Sequence, residues 1–167
     1  MNKNTKIQPI LCFFLPEKHK VFFEHIFEVD ENDVVIMNNS HPIAKMINSM
    51  WSTSDIPTKK QDYNVKVYLP ITSNNHHRVK YNFIYVPKWK EEQIQLFVES
   101  YHKLYLREMF IAGRECGFST DKIIDAILID LNKRKTLFTY DQLKKFDYRN
   151  RRKAIENVKS IIKNNCI

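Results

Sequence analysis

Two glycines, Gly113 and Gly117, serve a chain of 167 residues, and the first 112 positions contain none. Glycine lets backbone approach a phosphate closely, or turn through left-handed conformations, without steric strain. A phosphate-cradling loop or a dinucleotide-binding turn needs such residues close together, so both are excluded. The strained strand-to-helix elbow that presents a serine nucleophile fails for the same reason.

What remains is a packed domain with a bulky core. Hydrophobic residues make up 43% of the chain and aromatics 13%, mostly Phe and Tyr, which rules out wholesale disorder. The length suits one domain, or one domain with a small helical appendage. Cys12, Cys116 and Cys166 are odd in number and far apart. They fit neither a disulfide framework nor a metal knuckle and point to a reducing compartment. The apolar run Ile10–Leu15 has no small-residue cleavage site after it, unlike a secretory leader. No run approaches the roughly 18 apolar residues of a membrane span. A soluble, cytoplasmic protein without membrane contact is expected.

The expected fold is α+β, with a small mixed sheet and two short helices over residues 1–87 and a helical, basic region over 88–167. Ile10–Leu15 reads as a strand buried on both faces. Pro16 opens a short helix with Val21, Phe22, His25 and Ile26 inward. Val34–Met37 reads as a second buried strand. Ser40 is the expected cap of a helix that carries Pro42 in its first turn and Ile43, Met46, Ile47 and Met50 at helical spacing. Thr53–Asp62 reads as a loop. Val65–Leu69 and Val79–Val86 read as a hairpin whose long tip is Thr72–Arg78.

After Pro87 the period becomes helical. Ile94, Phe97, Val98, Tyr101, Leu104, Tyr105 and Ile111 make one apolar face, and the two glycines mark its end. Ser119 or Thr120 caps the next helix, striped by Ile123, Ile124, Ile127, Leu128 and Leu131. Thr139 can cap a further short helix carrying Tyr140, Leu143 and Phe146. Asp147 can cap a last helix, Tyr148–Lys163, with Ala154, Ile155, Val158 and Ile162 inward, unless residues 140–163 form a single helix.

Charge is the strongest functional signal. Nine of the 21 residues from Lys133 to Lys153 are basic (Lys133, Arg134, Lys135, Lys144, Lys145, Arg149, Arg151, Arg152, Lys153), opposed by Asp141 and Asp147 alone. That local +7 nearly equals the whole formal charge of +8. Concentrated positive charge gains most from a polyanion. Ser119–Lys163 reads as a helix-turn-helix-like region, in which the second helix of a pair enters the major groove and flanking cations clamp phosphates. Lys144, Lys145, Arg149, Arg151, Arg152 and Lys153 are the expected phosphate contacts. Arg149 and Asn150 could read guanine and adenine edges. Cations in the first turns of a helix oppose its dipole, which argues for a partner rather than for helix stability.

The leading expectation is therefore a non-catalytic nucleic-acid-binding protein, DNA ahead of RNA, acting in regulation or in replication of a mobile element. The N-terminal half would supply dimerisation or partner docking. The rival is a structural subunit of a viral or other large assembly whose basic helices meet an acidic protein surface. Neither reading calls for a metal or cofactor. His76 and His77 are adjacent, and on a strand they would point to opposite faces. Asp30–Asp33 reads as an acidic turn between strands. Cys12, His25 and Asp33 make a catalytic triple on paper only. Trp51 and Trp89 are read as boundary packing. Tyr81, Phe83 and Tyr85 share one strand face that is expected to meet the core rather than stacked bases.

Overall fold

The computed structural model describes residues 8–58, 62–132 and 138–165. The fold is α+β, and the chain divides into two compact units, Met1–Tyr101 and His102–Ile167.

In the first unit, strand β1 (Ile10–Phe13) leads to helix α1 (Glu17–Ile26) and a short hairpin of β2 (Glu28–Val29) and β3 (Val35–Ile36). Helix α2 (Pro42–Met50), strands β4 (Ser52–Ser54) and β5 (Val65–Tyr68), helix α3 (His76–Tyr81) and strand β6 (Phe83–Tyr85) follow. Four strands form a mixed sheet in the order β1-β5-β3-β2, and β4 pairs with β6 in a separate ribbon. β1 runs antiparallel to β5, with Phe13 opposite Val65, and β5 runs parallel to β3, with Val67 opposite Val35.

The residues of β1 alternate, with Leu11 and Phe13 buried and Ile10 exposed. The run expected to be buried on both faces thus covers only one side of the core. Phe23 packs edge-on against Phe13 and Phe27, at centroid distances of 6.1 and 5.0 Å. Past its last ladder residue the first strand is held by side chains. Asn64 Oδ1 accepts from the Leu15 N–H at 2.9 Å, and its Nδ2 donates to the Leu15 carbonyl at 2.7 Å. A primary amide here supplies the donor and acceptor that a neighbouring strand would otherwise present.

Several local expectations change. Ser40 does not cap α2; its N–H and hydroxyl both donate to Asn38, and His41 Nδ1 accepts from the Ile43 N–H at 3.2 Å. Burial pushes the His41 pKa down, which keeps that nitrogen an acceptor. Ile36 is exposed, so the second strand is buried on one side only. Ser52–Ser54, expected at the start of a loop, is a strand. Val79–Val86 is not the second arm of a hairpin with Val65–Leu69: α3 takes part of the expected tip and the arm's first residues, and β6 pairs with β4 rather than β5. Asp30–Asp33 does turn between β2 and β3. Asp30 Oδ1 accepts from the Asn32 and Val34 N–H groups at 2.9 and 2.8 Å, and Asp33 takes the left-handed conformation at φ 57°.

Helix α4 (Lys88–Glu115) contains the boundary between the units. Within the first unit it buries Ile94, Val98 and Glu91. Glu91 accepts from the Phe14 N–H at 2.8 Å and from Lys88 Nζ at 2.9 Å. Within the second unit it buries His102, Leu106 and Phe110, while Leu104 and Ile111, expected inward, are exposed. Gly117 ends it at φ 78°, with Phe118 N–H donating to the Gly113 carbonyl and Gly117 N–H to that of Arg114. That crossed pair of bonds is a Schellman cap.

Ser119 then caps helix α5 (Thr120–Leu131), whose Ile123, Ile124, Ile127 and Leu131 are buried. Asn132 makes a two-way amide contact with the Phe138 backbone, at 3.0 and 3.1 Å, which ties the end of α5 to the start of the next helix. Lys133, Arg134 and Lys135 lie outside the described residues. Thr139 caps helix α6 (Tyr140–Asn165), which is continuous. Where three short helices are expected after Ser119, the described residues form two, because Asp147 caps nothing. Its carboxylate is buried at mid-helix between Arg114 and Arg151, with Arg151 Nε at 3.3 Å. Residues 151–163 are exposed throughout, including Ala154, Ile155, Val158 and Ile162, which periodicity placed inward.

Candidate nucleic-acid interface

The basic residues of α6 divide by helical geometry. At 3.6 residues per turn, positions four apart fall near one line and rise about 6 Å. Lys145, Arg149 and Lys153 keep that spacing. Together with Gln142, Asn150, Arg152 and Glu156 of α6 and Lys103 of α4, they line a concavity of about 730 Å³ within the second unit. Among the described residues, none of Lys145, Arg149 and Lys153 has a carboxylate partner, and all three are exposed.

Two of the other expected contacts are held by carboxylates. Arg151 faces Asp147 on another side of the helix. Arg152 Nε donates to Glu156 at 2.8 Å, an i,i+4 pair that raises the arginine pKa further. Lys144 Nζ lies over the Tyr140 ring, 5.4 Å from its centroid. Asn150 lines the concavity, but its amide donates to the Phe146 carbonyl at 2.8 Å, so its donor already has an acceptor within the helix. A bidentate adenine contact would have to use the second amide hydrogen and Oδ1 in the orientation that this bond fixes. Arg149 to Lys153 do not oppose a helix dipole at its N-terminus, because they sit at the middle of a helix that begins at Tyr140.

Support for this face comes from beneath it. Asp147 draws Arg114 and Arg151 together, and Arg114 also stacks on Phe110 at 5.6 Å. Tyr105 donates to Asp130 at 3.2 Å, and burial with that carboxylate pushes its phenol up to about 12. These buried or half-buried contacts fix the helices that carry the cations. Lys103, 39 positions before Gln142, had no signal in the sequence that would join it to α6.

A second feature of α6 was misread from periodicity. Tyr148, Ile155, Val158, Ile161 and Ile162 are each more than half exposed. A shallower concavity of about 350 Å³ is lined by Tyr148, Ile155 and their charged neighbours Arg151, Arg152, Glu156 and Lys159.

Other constellations weaken. Burial pushes the Cys12 thiol up, away from a reactive thiolate. Among the described residues, no three His, Cys, Asp or Glu side chains gather as a metal site would require, and no helix is long and apolar enough to cross a membrane. No family model matches the chain, and neither a curated protein nor a solved structure matches it.

Proposed function

We propose that the protein binds nucleic acid, duplex DNA in the first place, through the Lys145–Arg149–Lys153 face of α6, and that it acts by binding rather than by catalysis. One observation carries this reading. Three cations without a carboxylate partner among the described residues stand on successive turns of one exposed helix and share one concavity. Arg114 and Arg151, by contrast, are drawn onto the buried Asp147 carboxylate. The wide major groove of B-DNA admits an α-helix, whereas that of RNA is deep and narrow, which favours DNA.

The test is a mobility shift with the triple variant Lys145→Glu, Arg149→Glu, Lys153→Glu. Wild-type protein should bind unrelated duplexes at low salt, weakening as salt rises with a log–log slope near 0.9 per phosphate neutralised. Binding should be lost in the variant, with thermal stability nearly unchanged, because the three side chains are exposed and none has a carboxylate partner among the described residues. Failure of wild-type protein to shift DNA at micromolar concentration in low salt would end the proposal.

A second reading, docking of an acidic protein segment within a larger assembly, is favoured by the exposed apolar stripe of Ile155, Val158, Ile161 and Ile162. A partner helix with an apolar face and acidic flanks would cover that stripe and meet Arg152 and Lys159.

A further inference from the structure

Residues 76–90 contain Arg78, Lys80, Lys88 and Lys90, the aromatics Tyr81, Phe83, Tyr85 and Trp89, and no acidic residue. The fold does not bury these rings in the core. Phe83 is 49% exposed and Trp89 58%.

The β4–β6 ribbon sets their arrangement. Phe83 stands opposite Ser54, and Tyr85 opposite Ser52, so these four side chains share one face, while Thr53 and Ile84 share the other. The cross-strand neighbours of both rings are serines, too small to cover an aromatic face. Lys90 Nζ donates to Ser52 Oγ at 3.1 Å and lies 5.4 Å from the centroid of the Trp89 ring. Its ammonium therefore links the Tyr85 side of the ribbon to Trp89. The nearest acid in sequence, Glu91, is buried and engaged by Phe14 and Lys88. Asp55 follows the last residue of β4 and bounds the face at its far end.

The geometry points to a single-stranded nucleic-acid site on this ribbon, distinct from α6, in which bases stack on Phe83 and Trp89 and Lys90 meets the backbone. Every base has a π-face, so exposed rings beside cations bind single strands with little regard to sequence. Duplex bases are already stacked on one another and offer no such face. Arg78, Lys80 and Lys90 supply positive charge suited to a phosphate backbone, while Lys88 is paired with Glu91 and the exposed Glu92 bounds the run on that side. Alternate residues on a strand lie about 6.6 Å apart, a spacing an unstacked strand can follow. The site does not depend on the α6 reading.

The test uses the full chain, an oligothymidine and a duplex, each about twenty nucleotides long, which exceeds the site size of a single small domain. Binding is followed by anisotropy and by quenching of tryptophan fluorescence. Phe83→Ala and Trp89→Ala should each weaken oligothymidine binding about tenfold or more, with duplex affinity unchanged, while Trp89→Phe keeps most of the affinity. The α6 triple variant should retain the aromatic-dependent binding. Melting curves for each variant confirm the fold. If duplex binds and oligothymidine does not, or if oligothymidine affinity is indifferent to both alanine substitutions, the ribbon site is refuted while the α6 proposal stands. If oligothymidine binds in this manner and duplex does not, the α6 proposal is lost and the ribbon site stands.

Discussion

Tyr68 shows how single polar contacts anchor this fold. Its hydroxyl donates to Asp30 Oδ2 at 2.6 Å, tying β5 to the turn between β2 and β3. That bond, helped by the Val34 and Asn32 N–H groups, holds the Asp30 carboxyl below its ordinary value of 3.8 and raises the Tyr68 phenol. A carboxylate whose folded pKa is depressed stabilises the fold above its unfolded pKa and loses that contribution as pH falls through the folded one. Tyr68→Phe should return the Asp30 titration toward 3.8, read by NMR, and should shrink the acid sensitivity of stability below that pH. An unmoved titration would mean that the backbone donors alone set it. At this scale the sequence was partly legible. The acidic turn could be read from its composition, whereas the tyrosine partner stands 38 positions away. Likewise Asp147 has the local signature of a cap, and only the arrival of Arg114, 33 positions earlier in the chain, makes it a buried counter-ion.

At the scale of elements, legibility followed the strength of local signals. The α5 helix is legible in outline, because one of its two expected caps, Ser119, and the isoleucine stripe agree, although Leu128 of the expected stripe is only half-buried. The β4–β6 ribbon was not. Alternation in Tyr81–Tyr85 suits a long strand, and tertiary contacts instead gave the first of these residues to α3. On α6 the four-residue spacing of Lys145, Arg149 and Lys153 was visible in the sequence. So are the i,i+4 relations that engage Arg151 with Asp147 and Arg152 with Glu156, which narrow the site to that line. Gly113 supplies a test of the α4–α5 crossing. A Cβ there would lie 2.6 Å from Ile123 Cγ1, and an isoleucine in a helix has essentially one χ1 rotamer with which to respond. Gly113→Ala should therefore destabilise by about 1–3 kcal/mol through overpacking, despite the better helix propensity of alanine. Placed on an Ile123→Ala background, the same change should become stabilising by up to about 1 kcal/mol, measured by urea denaturation. No reversal of sign would mean that the crossing is looser than described.

For the whole molecule, the balance of charge sets the expected response to a polyanion. Residues 1–86 carry a net +2 and residues 87–167 a net +6, on a chain with 27 basic and 19 acidic side chains. Binding only to the folded state raises global stability by mass action, by about 2.7 kcal/mol at a hundredfold excess of ligand over Kd. Duplex DNA should therefore raise the melting temperature of the wild-type chain and leave that of the α6 triple variant unmoved. Equal shifts in both would assign the effect to some other surface. The distal half of α6 carries a further consequence. From Arg151 to Lys163 nothing is buried, so these turns propagate from the packed part of the helix without tertiary contacts of their own. A ligand laid along them would suppress their fraying, so association should slow amide exchange from Arg151 onward more than in the turns before it.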